Sequence, residues 1–113
     1  DGWPNVWLGC TCGDQKEFDR DWPHLRSIPA RVRFISYEPA LGPLSIGFQS
    51  IHTLPNWIIC GGESGSKARY MPYLWPAALR DECSQYGVRF FMKQMTGEKP
   101  IPPDLMVRQF PNP

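Results

Sequence analysis

Residues 56–93, NWIICGGESGSKARYMPYLWPAALRDECSQYGVRFFMK, contain the pattern that decides the fold. Residues 56–61 and 88–93 are short, rich in β-branched and aromatic side chains, and bounded by glycine or proline, which is typical of strands. Between them, apolar residues recur at helical spacing and predict a helix over residues 73–86. Strand, helix and strand in this order form a βαβ unit, so we expect the two strands to be parallel.

The ends of this helix are marked in the sequence. Pro76 falls in the first turn, where its missing N–H does no harm. Gly87 follows the last turn and can adopt the left-handed conformation of a helix cap. The apolar stripe that predicts the helix consists of Trp75, Leu79, Cys83 and Tyr86.

Two further strands are predicted earlier in the chain, over residues 6–12 and 31–37. Their nearly continuous hydrophobicity is typical of parallel strands that are covered on both faces. A second helix is predicted over residues 21–27, with Asp21 as its cap and Pro23 in its first turn. The fold class is therefore α/β, with four mainly parallel strands and crossover helices arranged as half or part of a TIM-like barrel.

The predicted barrel domain spans residues 1–99, and residues 100–113 form a proline-rich tail that we expect to be extended over the surface. A half-barrel has two outer strands with unpaired edges, and such edges favour pairing with another chain. We therefore expect a homo-oligomer or a partner that supplies an N-terminal half-barrel.

Length and composition exclude several classes of protein. The 113 residues are enough for one domain, and 42% hydrophobic with 20% charged residues is typical of a globular protein. A net charge of +1 gives no sign of nucleic-acid binding, and no apolar run approaches the roughly 20 residues that span a bilayer. No secretory leader is visible, so we expect a cytoplasmic location. Because the chain does not begin with Met, we also expect a piece of a longer protein.

The four cysteines are expected to be free thiols in a reducing compartment. Cys10 and Cys12 lie two residues apart on a predicted strand, so they share a face but cannot form a relaxed disulfide. Their spacing also differs from the C-x₂-C pairs of common zinc sites, so no metal site is expected. The other two cysteines are Cys60 and Cys83.

Histidine and tryptophan residues give no sign of catalysis. His24 is expected on a helix surface and His52 in a loop, and neither has a catalytic partner nearby in sequence. Packing in the core or at an interface accounts for the five tryptophans, Trp3, Trp7, Trp22, Trp57 and Trp75.

Charged residues stand at the carboxyl ends of three predicted strands. Glu38, Glu63 and Lys93 each continue the alternation of one strand face. Ligands of parallel α/β folds bind at this end of the sheet. We therefore predict that the three side chains converge at one mouth. The alternative is that they are solvated charges where the strands meet water.

The segment 61–66, GGESGS, follows a strand and is the most distinctive loop of the chain. Its glycines allow the backbone to approach a ligand closely, and free N–H groups there can hold an anion, with Lys67 and Arg69 to neutralise it. The alternative is a glycine-rich turn without a ligand. It is not a nucleophile elbow, since no G-x-S-x-G surrounds Ser64, and it lacks the ending of a P-loop.

Taken together, the segments PNVWLG, ARVRFISYEPALGPL, NWIICGGESGSKARYM, LWPAALRDEC and GVRFFMKQ resemble a family of bacteriophage and prophage proteins of unknown function. The resemblance extends to about Gln94. Longer members of that family look like radical-SAM (βα) barrels, whose N-terminal half carries three cysteines suited to a [4Fe–4S] centre. This chain resembles the C-terminal half.

The resemblance implies that this chain alone holds no cofactor, because its cysteines do not match the cluster motif. S-adenosylmethionine and a [4Fe–4S] cluster would belong only to a full-length form, and we expect the chain alone to be inactive. Where relatives have an acidic residue, Asn and Gln after a strand, this chain has Asp14 and Gln15, of which Gln15 is the better match. The residues expected to line the mouth and bind a ligand are Gln15, Glu38, Gly61, Gly62, Glu63, Ser64, Arg69, Lys93 and Gln94.

Three functions remain open at this point, and they differ on whether the protein is an enzyme. The chain is the later part of a radical-SAM-like barrel that needs an N-terminal half, or a non-catalytic phage remnant or binding module that associates with itself. The third alternative is a small domain that binds phosphate or another anion through residues 61–69.

Overall fold

A computed structural model describes residues 5–47 and 53–112 of the chain. Its strands form one sheet in the order in which they occur along the chain, and every neighbouring pair is parallel. This confirms the predicted α/β fold with four parallel strands; the sheet is open, as in part of a barrel. The strands are β1 (Trp7–Thr11), β2 (Val32–Tyr37), β3 (Trp57–Gly61) and β4 (Arg89–Gln94).

The two helices, α1 (Gln15–Arg26) and α2 (Leu74–Tyr86), contribute to one hydrophobic core with the sheet. Right-handed crossovers between sequentially ordered parallel strands place the helices on the same face. The centre of this face excludes water, because six side chains from β2, β3 and β4 that point into it are at most 1% exposed. They are Ile35, Tyr37, Ile58, Cys60, Phe90 and Met92.

Helix α1 begins six residues earlier than predicted, so the prediction of a helix start at residue 21 is wrong. Asp14 is the N-cap: its Oδ1 accepts the N–H of Glu17 at 2.9 Å, and the Glu17 carboxylate accepts the N–H of Gly13. The first contact satisfies a first-turn amide that has no partner within the helix, and the second is a variant of the capping box that holds the residue before the cap. Asp21 therefore lies within the helix and does not cap it. Pro23 lies beyond the first turn of the helix, on its solvent-exposed side.

Removing this cap should measurably weaken the fold. We expect Asp14→Ala to lower the free energy of unfolding by about 0.5–2 kcal/mol, the usual cost of losing an N-cap side chain. Urea denaturation followed by circular dichroism measures the change. Asp19→Ala, which removes an exposed carboxylate from the same helix, should cost less than about 0.5 kcal/mol. Equal losses in the two variants would show that Asp14 does not act as a cap.

Helix α2 agrees with its sequence pattern. Pro76 lies in the first turn, and Gly87 caps the helix with a φ of 73°. Leu79 and Cys83 are fully buried in the core. The helical spacing of apolar residues therefore identified both the helix and the face that it buries.

The C-terminal tail does more than cover surface. It contains a 3₁₀ turn at Pro103–Leu105, and Leu105 is fully buried. The following residues 106–110, here called the C-terminal strap, run antiparallel beside β4. The tail is therefore integrated into the domain.

The strap closes one edge of the sheet. The N–H of Met92 donates to the carbonyl of Val107 at 2.7 Å, and the N–H of Gln109 donates to the carbonyl of Phe90 at 2.9 Å. The expectation of two unpaired strand edges is therefore wrong for β4. Within the described residues, β1 pairs only with β2, so the edge of β1 is open.

The second face of the sheet, here called the open face, carries no helix among the described residues. It includes Trp7, Phe34, Trp57, Ile59 and Phe91, and the ring centroid of Trp57 lies 5.7 Å from Phe34 and 6.2 Å from Phe91. The sequence predicts strands that are covered on both faces, whereas among the described residues helices cover only one face of the sheet. Aromatic side chains that pack against one another make this face as hydrophobic in sequence as a helix-covered one.

Candidate functional site

Glu38 and Lys93 meet at the carboxyl end of the sheet, as predicted. The Lys93 Nζ lies 3.1 Å from the Glu38 Oε2, and the Ser36 hydroxyl donates to the Glu38 Oε1 at 2.7 Å. Glu38 follows β2 and Lys93 lies near the end of β4, and β3 separates these two strands. The contact between Glu38 and Lys93 therefore passes over the end of β3, where Gly61 has no side chain; a Cβ there would lie 3.2 Å from the Glu38 Oε2.

The next residue, Gly62, holds the loop after β3 against the loop after β4. Its N–H donates to the Gln94 carbonyl at 3.0 Å, and the Gln94 side-chain amide donates to the Gly62 carbonyl at 2.7 Å. A Cβ at residue 62 would lie 2.6 Å from the backbone nitrogen of Thr96. This position requires glycine because two backbones approach each other closely.

Glu63 is bound by Arg69 of the same loop. The guanidinium donates to both carboxylate oxygens at 2.8 and 2.7 Å, and the Arg69 backbone N–H adds a third bond at 2.9 Å. These bonds from Arg69 lower the pKa of Glu63 from its ordinary value of 4.5 to about 2. The Arg69 guanidinium is therefore paired with the Glu63 carboxylate of its own loop and is not free to neutralise a bound anion.

The Glu63–Arg69 contact predicts a specific pH dependence. A lowered pKa means that the contact contributes its full stability above about pH 4.5 and loses that contribution as the pH falls towards 2. In a carboxyl NMR titration, Glu63 should titrate near 2, and Arg69→Gln should return its pKa towards 4.5. Lys67→Gln, a neighbouring exposed cation, should leave the titration unchanged. An ordinary Glu63 pKa in the parent chain would refute the contact.

Most of the predicted site residues surround one cleft, here called the rim cleft, of about 300 Å³. Gly61 lies beneath the Glu38–Lys93 contact, and Arg69 reaches the cleft only through Glu63. Whether the cleft binds a ligand stays a prediction. Its lining includes six of the predicted residues: Glu38, Gly62, Glu63, Ser64, Lys93 and Gln94.

Gln15 lies apart from this group. Its side-chain oxygen accepts the N–H of Ser45 at 2.8 Å, and its side-chain nitrogen donates to the Ser45 carbonyl at 3.0 Å. Ser45 in turn donates from its hydroxyl to Glu82 of α2 at 2.7 Å. Gln15 therefore ties the first turn of α1 to the segment after β2, and the structure gives it no contact with the rim cleft.

A second cleft of about 440 Å³, here called the aromatic cleft, lies on the open face. Sequence reasoning missed it, because the tail residues Arg108 and Phe110 form part of its wall. Residues 106–110, MVRQF, show no strict alternation of apolar and polar side chains, so the sequence gives no clear sign of a strand there. The lining residues are Glu38, Trp57, Ile59, Phe91, Lys93, Arg108 and Phe110.

The cysteines are free thiols, as predicted. The sulfurs of Cys10 and Cys12 lie 3.9 Å apart, and their hydrogen bond lowers the pKa of Cys10 while it raises that of Cys12. Burial raises the pKa of Cys60, and it raises that of Cys83 to about 12. These thiols do not fit a three-cysteine iron–sulfur motif. Within residues 5–47 and 53–112, no three His, Cys, Asp or Glu side chains are grouped to hold a metal ion.

One of the two histidines, His24, lies within the described residues. His24 is exposed on α1, on the helix surface as predicted. His52 and Trp3 lie outside the described residues.

In the part of the chain that is described, neither helix combines the length and apolarity that crossing a bilayer requires.

The fold and the rim cleft define the class of the protein. It is an open parallel α/β protein, whose described helices lie on one face of the sheet and whose strands carry charged side chains at their carboxyl ends. The chain belongs to the DUF5131 family, described as a protein of unknown function, whose family model matches residues 2–105. No curated protein and no solved structure matches the chain. The C-terminal strap begins after the last matched residue.

Proposed function

We propose that the chain supplies the later strands of a radical-SAM-like (βα) barrel and that an N-terminal half joins it at β1. The observation that carries this proposal is the difference between the two sheet edges. The strap occupies the β4 edge, whereas β1 pairs only with β2 among the described residues. The sheet can therefore be extended at β1 without displacing any described part of the chain.

The order of the strands also supports the addition of an N-terminal half at β1. In a barrel whose strands follow one another in sequence, the strands that precede β1 along a longer chain would lie beside β1. Right-handed crossovers would keep their helices on the same outer face as α1 and α2. The open face would then become part of the barrel interior, where its aromatic side chains would be covered. The rim and aromatic clefts would form one wall of the pocket.

The cofactors of such an enzyme would have to be held by the N-terminal half. The cysteines of this chain do not fit a three-cysteine cluster motif, because among the described residues no three of their thiols are grouped to hold a metal. The part of this chain would be to position substrate with the Glu38–Lys93 pair and the Gln94 amide. Phage or prophage origin and a cytoplasmic location belong to the same proposal.

The proposal predicts that the chain alone does not assemble an iron–sulfur cluster. Anaerobic reconstitution with iron and sulfide should give no stoichiometric [4Fe–4S] absorption after desalting. A variant with all four cysteines replaced by serine should give the same background signal if the thiols contribute nothing. A full cluster spectrum from the parent chain that is lost in this variant would overturn the assignment.

Hydrogen exchange tests the joining of two halves. Because the Cys12 N–H donates to Ser36 of β2, the alternating amides of Gly9 and Thr11 point towards the free edge. Adding the polypeptide encoded immediately upstream should slow their exchange and leave the amide of Met92 unchanged.

Matched variants sharpen this test. Thr11→Pro removes the outward N–H and should prevent the joining, whereas Thr11→Val keeps it and should not. Unchanged exchange at β1, or new protection at β4 with release of the strap, would overturn the proposal.

Self-association is the second candidate function, and the exposed β1 edge favours it. Among the described residues, the backbone of β1 pairs with β2 on one side only, so two copies could pair along the free edge of β1. Light scattering distinguishes self-association from joining with an N-terminal half. A stable dimer that Thr11→Pro breaks, and that the upstream polypeptide does not dissociate, would favour a self-associating module.

A further inference from the structure

We propose that the aromatic cleft binds a planar aromatic ring that carries one anionic group, such as a carboxylate, sulfonate or phosphate. The inference deepens the proposed function, on which it rests for its biological meaning, because it names the class of molecule that this wall of the barrel would face. The cleft itself is formed by the described residues of this chain alone.

The walls of the cleft suit a flat ring. The Phe110 centroid lies 5.6 Å from that of Trp57 and 5.4 Å from that of Phe91, and the rings are inclined to one another. Ile59 adds an aliphatic surface to the same cleft. Faces and edges of aromatic rings at such angles offer stacking and edge-to-face contacts to a further ring. The volume of about 440 Å³ is within the usual range for sites that hold a small molecule.

The charged side chains of the cleft favour an anion. Lys93 and Arg108 bring two positive charges, whereas Glu38 brings one negative charge that Lys93 already contacts. The Lys93 ammonium has three N–H donors, and Glu38 is its one described ion-pair partner. The Lys93 side chain is also 52% exposed, so it can turn a donor towards a ligand.

Arg108 is held in place as the second cation. Its Nε donates to the carbonyl of Met92 at 3.0 Å, and its Nη2 donates to the carbonyl of Lys93 at 3.1 Å. The guanidinium carbon lies 5.2 Å from the ring centroid of Phe91. A fixed positive charge beside an aromatic wall attracts the anionic group of a ligand whose ring lies against that wall.

The strap supplies two of the residues on which this selectivity depends. Arg108 and Phe110 both lie beyond residue 105, where the family match ends. The Trp57 indole N–H donates to the Gln109 carbonyl at 2.9 Å and so anchors the strap over the cleft. The segment after the matched domain therefore supplies both an aromatic wall and a cation.

Two fluorescent probes of similar shape test the proposal with the full chain. Anilinonaphthalene sulfonate carries the anionic group, and phenylnaphthylamine lacks it. We expect the sulfonate to bind more tightly, and we expect Lys93→Gln to weaken its binding about tenfold. The same variant should leave the neutral probe unchanged, and Lys67→Gln should change neither probe.

The aromatic wall is tested separately. Phe110 is 60% exposed, so Phe110→Ala should remain folded and should weaken both probes. Leu74→Ala, which shortens an exposed side chain on α2, should weaken neither. Equal affinity of the two probes, or no effect of Lys93→Gln on the sulfonate, would overturn the proposal.

This experiment is independent of hydrogen exchange at β1. Loss of charge selectivity with normal joining at β1 would remove this inference alone. If the upstream polypeptide does not join at β1 but the sulfonate probe still binds more tightly, the proposed function is wrong and the ligand site of the aromatic cleft remains.

Discussion

Replacing Trp22 by alanine is expected to lower the free energy of unfolding by about 3–5 kcal/mol. Trp22 is 1% exposed in the core between α1 and the sheet. Its ring is stacked 6.3 Å from that of Phe18, and its indole N–H donates to the Thr53 carbonyl at 2.6 Å. Alanine would leave a cavity and remove the hydrogen bond, and a domain of this size has only about 5–15 kcal/mol to lose.

Trp7 provides the matched control for this prediction. It belongs to the open face and is 38% exposed, so Trp7→Ala should cost much less than Trp22→Ala. Urea denaturation followed by far-ultraviolet circular dichroism measures both variants without depending on tryptophan emission. Similar losses in both would contradict the assignment of a helix-covered core face and an open face.

The second large effect is expected for Gly62→Ala. The new Cβ would lie 2.6 Å from the Thr96 nitrogen and 2.9 Å from the Met95 carbonyl carbon, and both are backbone atoms that cannot rotate away. We expect a loss of about 1–3 kcal/mol or more, the usual cost of forcing atoms into a packed region. The displaced loop should also lose the reciprocal bonds between residue 62 and Gln94.

Gly61→Ala is the control for the rim. Its Cβ would first meet the Glu38 Oε2 at 3.2 Å, and a carboxylate at the end of a flexible side chain can move. We therefore expect a smaller loss of stability, with a weakened Glu38–Lys93 contact. Thermal unfolding gives the stabilities, and exchange of the Gln94 side-chain amide reports the loop. Equal tolerance of both variants would contradict the close approach of the two loops.

Local patterns were sufficient to predict the sheet and α2. Each strand has a short apolar run between breakers, and α2 has a helical stripe that ends at Gly87. The early start of α1 is also encoded locally, in the spacing of Asp14 and Glu17, but Asp21 and Pro23 offer a second pattern that is typical of a helix start. That error concerned turn chemistry and did not change the fold.

The open face and the strap could not be predicted in this way. Strands that are apolar on both sides look alike whether a helix or only other aromatic side chains lie above them. The pairing of Val107 and Gln109 with β4 is a long-range contact, and a proline-rich segment gives little local sign of it.

The part of the rim cleft that depends on strand direction alone could be predicted from the sequence. The carboxyl ends of parallel strands lie at one edge, so the meeting of Glu38 and Lys93 follows from the fold. The capture of Glu63 by Arg69 and the use of Gln15 to hold Ser45 depend on side-chain geometry that sequence spacing does not specify.

The arrangement on which every proposal rests is a described sheet whose strands run in one direction and bring Glu38 and Lys93 together over the end of β3. Nuclear Overhauser contacts in a labelled sample test it most directly. We expect contacts between backbone protons of Ile35 and Ile58 and of Ile58 and Phe90, in parallel register, together with contacts between the Glu38 and Lys93 side chains. An antiparallel pattern between any two of these strands, or the two charged side chains on opposite faces of the sheet, would contradict it.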